Sequence, residues 1–200
     1  MKTLGKLLAG MLLALGVATA SNAAVVTIDF GGLPGGNGDP FSSYSEDGFT
    51  VTSTAGNWFE AHFYGNPLPS IFGGPIFSPV AGTIRIVANG GGPFSLSSFD
   101  LSTNNGASDY VISGLLNGGV AFNALGNDST ITQFETIGGN LTLVDELFIT
   151  VSPLGGTTSF NIDNIVLNTV DRQLPEPGSL ALLGAALAVA GWRSRRNQRA

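Results

Sequence analysis

The sequence predicts an all-β fold, an antiparallel β-sandwich of jelly-roll type, and three observations carry that prediction. Apolar residues in the central region alternate with polar ones over short runs. Clusters of Gly, Pro and Asn separate the runs. No stretch of the centre keeps a 3.6-residue apolar period over the length of a helix.

In chain order, Val26, Ile28 and Phe30 place apolar groups on alternate positions, as do Phe49 and Val51, then Phe59, Ala61 and Phe63, then Ile84 and Ile86. Further runs span Phe94–Leu101, Tyr110–Leu116, Val120–Phe122, Thr130–Ile137, Leu141–Val151 and Phe160–Val170. Two of these change phase. In Phe94–Leu101 the apolar parity switches across Ser97 and Ser98, and in Phe160–Val170 it switches at Asp163 and Asn164, so each predicts a β-bulge. Leu116-Asn117-Gly118-Gly119-Val120 predicts a tight hairpin, because Asn-Gly accepts the positive φ angles of a two-residue turn. Gly31–Pro40 reads as a mobile loop, and Asn66–Pro79 as a loop laid over the outer face of its neighbours. About eight to ten strands in a domain of this size suit a sandwich. The glycine clusters at 35–38 and 90–92 lack the lysine and the strand-to-helix setting of nucleotide loops, so they read as turns.

The two ends have a different composition. Lys2 and Lys6 precede an apolar stretch, Leu7–Val17, which passes into small residues around Ala23 and Ala24. This is the pattern of a secretory signal peptide over residues 1–23, cleaved after Ala23 or, as the alternative, after Ala24. Secretion machinery is the partner it implies. At the other end, Pro175 and Pro177 fix φ and lack N–H groups, so the chain around Glu176 is extended and unable to join a ladder. An uncharged apolar run from Gly178 to Trp192 follows, about 22 Å long as a helix against a hydrocarbon core of about 30 Å. Arg193, Arg195 and Arg196 close it, on the cytoplasmic side by the positive-inside rule. The segment 174–200 thus predicts a short hydrophobic helix inserted transiently in a membrane, and 24–173 the exported domain.

All fourteen acidic residues lie between Asp29 and Glu176, where only Arg85 and Arg172 oppose them, which leaves that stretch at −12. Without a basic patch it excludes nucleic acid as a partner. The absence of cysteine excludes disulfides, thiol catalysis and thiolate metal sites.

Pro175-Glu176-Pro177, the apolar run and the arginine cluster, in that order, resemble the PEP-CTERM sorting signal of exopolysaccharide-producing Gram-negative bacteria. The resemblance implies recognition, and cleavage near Pro175–Pro177, by a membrane-embedded exosortase, with the protein passing from the inner membrane to the envelope or extracellular matrix. In the centre, Phe99-Asp100-Leu101, Ile112-Ser113-Gly114 and Phe160–Ile165 resemble the β-sandwiches that precede this signal and carbohydrate-binding jelly rolls. That resemblance concerns fold.

Candidate chemistry centres on Trp58–Tyr64. As one continuous strand, this segment turns Phe59, Ala61 and Phe63 to the core and places Trp58, Glu60, His62 and Tyr64 together outside. Two rings flanking an acid and an imidazole suit a sugar platform; an ordinary strand covered by a loop is the competing reading. His62 is the sole histidine and there is no Gly-x-Ser-x-Gly elbow, so no catalytic residue is assigned and a non-enzymatic protein is expected, with a glycan hydrolase as the remote alternative. Asp29 and Asp163 come together if the first and last strands pair, as weak ligands for a structural calcium ion, the one cofactor considered. Asp163-Asn164 shaping a bulge is the plainer reading.

Overall fold

A computed structural model describes residues 24–74, 80–129 and 132–170. The signal peptide, Ala23, the Pro175–Arg196 signal with its helix, and the first two residues of the expected 130–137 run lie outside the described residues. The described residues form thirteen strands: β1 (Val25–Ile28), β2 (Pro40–Phe41), β3 (Ser43–Glu46), β4 (Phe49–Ala55), β5 (Trp58–Ala61), β6 (Ser70–Gly73), β7 (Gly82–Ala88), β8 (Phe94–Asn104), β9 (Ser108–Leu116), β10 (Gly119–Asp128), β11 (Glu135–Gly138), β12 (Glu146–Pro153) and β13 (Ser159–Thr169). Among the described residues no helix is long and apolar enough to cross a membrane.

The strands form two antiparallel sheets. A seven-stranded sheet runs β11-β8-β13-β6-β5-β2, with β1 also on β13, and a six-stranded sheet runs β10-β9-β12-β7-β4-β3. From β6 to β9 and from β10 to β13 the chain passes back and forth between sheets, the wrap of a jelly-roll sandwich. First and last strands pair, with Val25 opposite Asn168 and Ile28 opposite Ile165. Inward positions recur every second residue, as the pleat requires: Ile84 and Ile86 on β7 face the interior, as do Leu147, Ile149 and Val151 on β12. They meet Leu96, Leu101, Phe160, Ile162 and Leu167 of the other sheet in one core. Edge-to-face ring contacts tie it together, Phe49 to Phe94 at 5.1 Å and Trp58 to Phe160 at 5.3 Å.

Both expected bulges are present. Ser97 is the extra residue between the Ser98–Val166 and Leu96–Leu167 pairs, and Asn164, at φ 43°, lies in the irregular step between the Asp163–Asp100 and Val166–Ser98 pairs. One bulge on each strand restores a common phase, which lets β8 and β13 stay paired to their ends. The Asn117-Gly118 hairpin is also present, with φ of 52° and 77°.

Three expectations are corrected. The Asn66–Pro79 segment is more than a covering loop, because Ser70–Gly73 is a sheet strand between β5 and β13. The Gly31–Pro40 loop is tied down rather than loose: Gly38 N donates to Glu60 O and Glu60 N to Asp39 O, both at 2.8–2.9 Å, and Leu33 is buried. The third correction, the facing of β5, bears directly on the site.

Candidate functional site

Trp58 faces inward, where the platform reading placed it outward. Its indole is 2% exposed, and its N–H donates to Ala55 O at 3.2 Å. Room for it comes from two glycines opposite. A Cβ at Gly82 would lie 2.9 Å from the indole, and one at Gly73 would lie 2.5 Å from the Phe160 ring that packs edge-on against Trp58. Gly73 is brought there by β5–β6 pairing and Gly82 by the packing of the other sheet. Phe59 accordingly turns outward and stacks on Phe72 of β6 at 5.2 Å. The strand stops at Ala61, so alternation no longer places His62, Phe63 and Tyr64; Phe63, assigned to the core, is 84% exposed.

Glu60 and His62 do come together. Glu60 is buried beneath the 31–40 loop, where its Oε2 accepts from Gly35 N at 2.9 Å and lies 3.0 Å from His62 Nε2. The Gly35 contact fastens the loop to β5, and His62 N adds a second tie by donating to Asn37 Oδ1 at 3.0 Å. The four expected platform residues therefore separate into a core tryptophan, a loop anchor pair and Tyr64.

Tyr64 lies over the outer face of the seven-stranded sheet. Its ring stacks on Phe134 at 5.1 Å and its hydroxyl hydrogen-bonds Ser102 Oγ of β8 at 2.7 Å. The residues after it are clamped to the sheet at the β13 bulge. Asp163 Oδ2 accepts from Asn66 N at 2.6 Å and Oδ1 from Asn164 N at 2.8 Å. The left-handed backbone of Asn164 aims its amide at Asn66 O and at Asp100 Oδ2, and Thr136 Oγ1 donates to Asp100 Oδ1 at 2.6 Å. Burial pushes the Asp163 pKa up to about 7; the two backbone N–H bonds oppose this, and the charges of Asp100 and Asp29 add to it.

The charge of Asp29 thus acts on Asp163 near the β1–β13 pair, and Asp29 Oδ1 accepts from Gly31 N at 2.8 Å. Among the described residues, no three His, Cys, Asp or Glu side chains gather as a metal site. Ala24, the alternative cleavage residue, lies at the sheet end, where its carbonyl accepts from Thr169 N at 2.8 Å.

Between the clamped loop and the sheet opens a cleft of about 240 Å³. Phe63 and Tyr64 of the loop and Phe72 of β6 line it, together with Ala61 and Asn37. Asn104, Ser159 and Asn161 supply amide and hydroxyl groups from β8 and β13. Asn104 Nδ2 donates to Ser159 Oγ at 2.6 Å, and Asn161 Nδ2 to Ser70 Oγ at 3.3 Å, which fixes both amides. None of these lining side chains carries a charge. The arrangement offers aromatic surface beside oriented donors and acceptors, suited to a neutral ligand rich in hydroxyls. Sequence reasoning found Tyr64 but missed Phe72, Asn104, Ser159 and Asn161, which converge only through β6–β13–β8 pairing.

Residues 173–196 match the family model described as the PEP-CTERM protein-sorting motif. This motif implies an exported protein sorted by an exosortase. No curated protein matches the chain. Among solved structures, the chain is similar to a family 29 carbohydrate-binding module from Piromyces equi, at 10% identity and TM-score 0.47 over 78% of this chain and 97% of that one. It is similar to the family 32 module of C. perfringens NanJ in complex with galactose, at 17% identity and TM-score 0.42 over 62% and 98%. It is likewise similar to a DUF4465 family protein from Bacteroides caccae, at 10% identity and TM-score 0.45 over 72% and 98%.

Proposed function

We propose that this chain is an exported, non-enzymatic protein of the extracellular polysaccharide matrix of a Gram-negative bacterium, and that it binds a neutral polysaccharide in the cleft. Residues 1–23 serve export, 24–173 form the working domain, and 174–200 deliver it to the exosortase and are cut near Pro175–Pro177. The observation that carries the binding reading is the uncharged cleft itself. Phe63 and Phe72 present ring surface for the C–H faces of a sugar, and Asn104, Ser159 and Asn161 present hydroxyl partners beside it. The strongly acidic domain repels anionic polymers, which directs the choice toward neutral ones. A hydrolase needs a carboxylate pair flanking the scissile bond, and no carboxylate lines the cleft among the described residues.

The test is affinity electrophoresis of the full protein, secreted by its host, in gels containing that host's neutral polysaccharide. Retardation is expected, and Phe63→Ala weakens it about fivefold, because an exposed stacking ring contributes on the order of 1 kcal/mol. Equal mobility of the wild type in gels with and without the polymer would refute the reading.

A further inference from the structure

β10 is the outermost strand of the six-stranded sheet and is ten residues long. The other outer strands are short: β2 has two residues, and β1, β3 and β11 have four each. An outer strand presents a row of N–H and C=O groups to any chain that can lie along it, and proteins shield such rows with lysine, proline or brevity. β10 has none of these. Gly119–Asn127 contains no charge and no proline, and Asp128 turns its carboxylate inward to accept from Thr103 Oγ1 at 2.8 Å. Its one bulge lies at the hairpin end, and from Phe122 onward it runs in unbroken register with β9. Its outer face is apolar in part: Leu125, 78% exposed, sits beside Val111, and Val120, 67% exposed, beside Leu115.

The sequence of the strand indicates what lies against it. Asn123-Ala124-Leu125-Gly126-Asn127 reads nearly alike in both directions, as amide, small, Leu, small, amide. An antiparallel pair sets a strand against its own reverse, so such a segment is complementary to itself. We propose that β10 pairs antiparallel with β10 of a second copy of this chain, centred on Leu125. In that register Leu125 meets Leu125, Asn123 meets Asn127, and Ala124 meets Gly126 on the inner face, each on the same side of the joined sheet. Elsewhere two copies of so acidic a domain repel, and this uncharged edge is where they approach without confronting like charges. The two six-stranded sheets become one of twelve strands, bounded at both ends by the short β3. The contact is isologous and closes on itself, so the product is a dimer and not a filament.

Sedimentation equilibrium on the full secreted protein reads the association, and twice the monomer mass is expected at micromolar concentration. Leu125→Lys, at an exposed position, brings two ammonium groups face to face and is expected to weaken the dimer at least tenfold. The chain has no cysteine, so Leu125→Cys introduces a single thiol that a short bis-maleimide joins across the two-fold axis. Val120→Cys sets the thiols about 30 Å apart in this register, by strand rise, and stays unlinked. A wild type that is monomeric throughout, a dimer indifferent to Leu125→Lys, or equal cross-linking at 120 and 125 overturns the proposal.

Discussion

Gly73 and Gly82 hold open the space that Trp58 and Phe160 fill. Gly73→Ala drives a methyl into the Phe160 ring and is expected to cost about 1–3 kcal/mol, read as a lower urea midpoint at unchanged slope. Trp58→Ala removes the largest buried side chain and is expected to cost about 3–5 kcal/mol. By contrast, Phe63→Ala leaves the midpoint within about 0.5 kcal/mol, since its ring is solvated. That contrast separates a residue that builds the sandwich from one that faces a ligand. Tryptophan beside glutamate and histidine gave no local sign of which role it held. The deciding atoms, those missing at two glycines, lie at least fifteen residues away along the chain.

At the scale of elements, the phase shifts in β8 and β13 were legible because a bulge changes apolar parity within one strand. β3 was legible in principle too: Asp47-Gly48, at φ 46° and 84°, is a two-residue hairpin signal that places a strand before Phe49. β6 carried no comparable sign, with Pro67 and Pro69 just ahead of it and glycines at its end. The 62–69 loop, clamped through Asp163, gives a pH dependence. The folded pKa of Asp163, about 7, stands above its ordinary 3.8, so between those values the folded state holds a proton that the unfolded state has released. This group's contribution therefore favours folding at low pH, declines as pH rises from about 4 to about 7, and is flat above. Asp163→Asn is expected to remove that part of the slope, measured as urea midpoints from pH 4 to 8. Asp100 and Asp29, the two carboxylates whose charges act on Asp163, stay in place in this variant.

For the whole molecule, the fold class, the C-terminal sorting motif and the acidic centre were all legible, because composition and periodicity are summed over many residues. The cleft was not, since its members come from five separated places along the chain. Intact-mass measurement of the protein from its host is expected to give a C-terminus well upstream of Ala200, near Pro175–Pro177, and a start at Ala24 or Val25. Retention of Arg193–Arg196 would contradict the sorting proposal. Processing at that point would remove Trp192 and leave Trp58 as the single tryptophan, so the tryptophan fluorescence of the processed protein is expected to report the core alone.

The Ala24–Thr169 hydrogen bond has a mechanical consequence. β1 and β13 are antiparallel, so the chain enters the sandwich and leaves it at the same end of one strand pair. Tension applied between those two points loads the Ala24–Thr169 bond first, then each rung of the ladder in turn, as a zipper opens. Such a geometry yields at low force, whereas strands pulled lengthwise past each other resist with all rungs together. In single-molecule pulling from the two ends, β1 should peel away as an early, separate step before the remaining sandwich gives way.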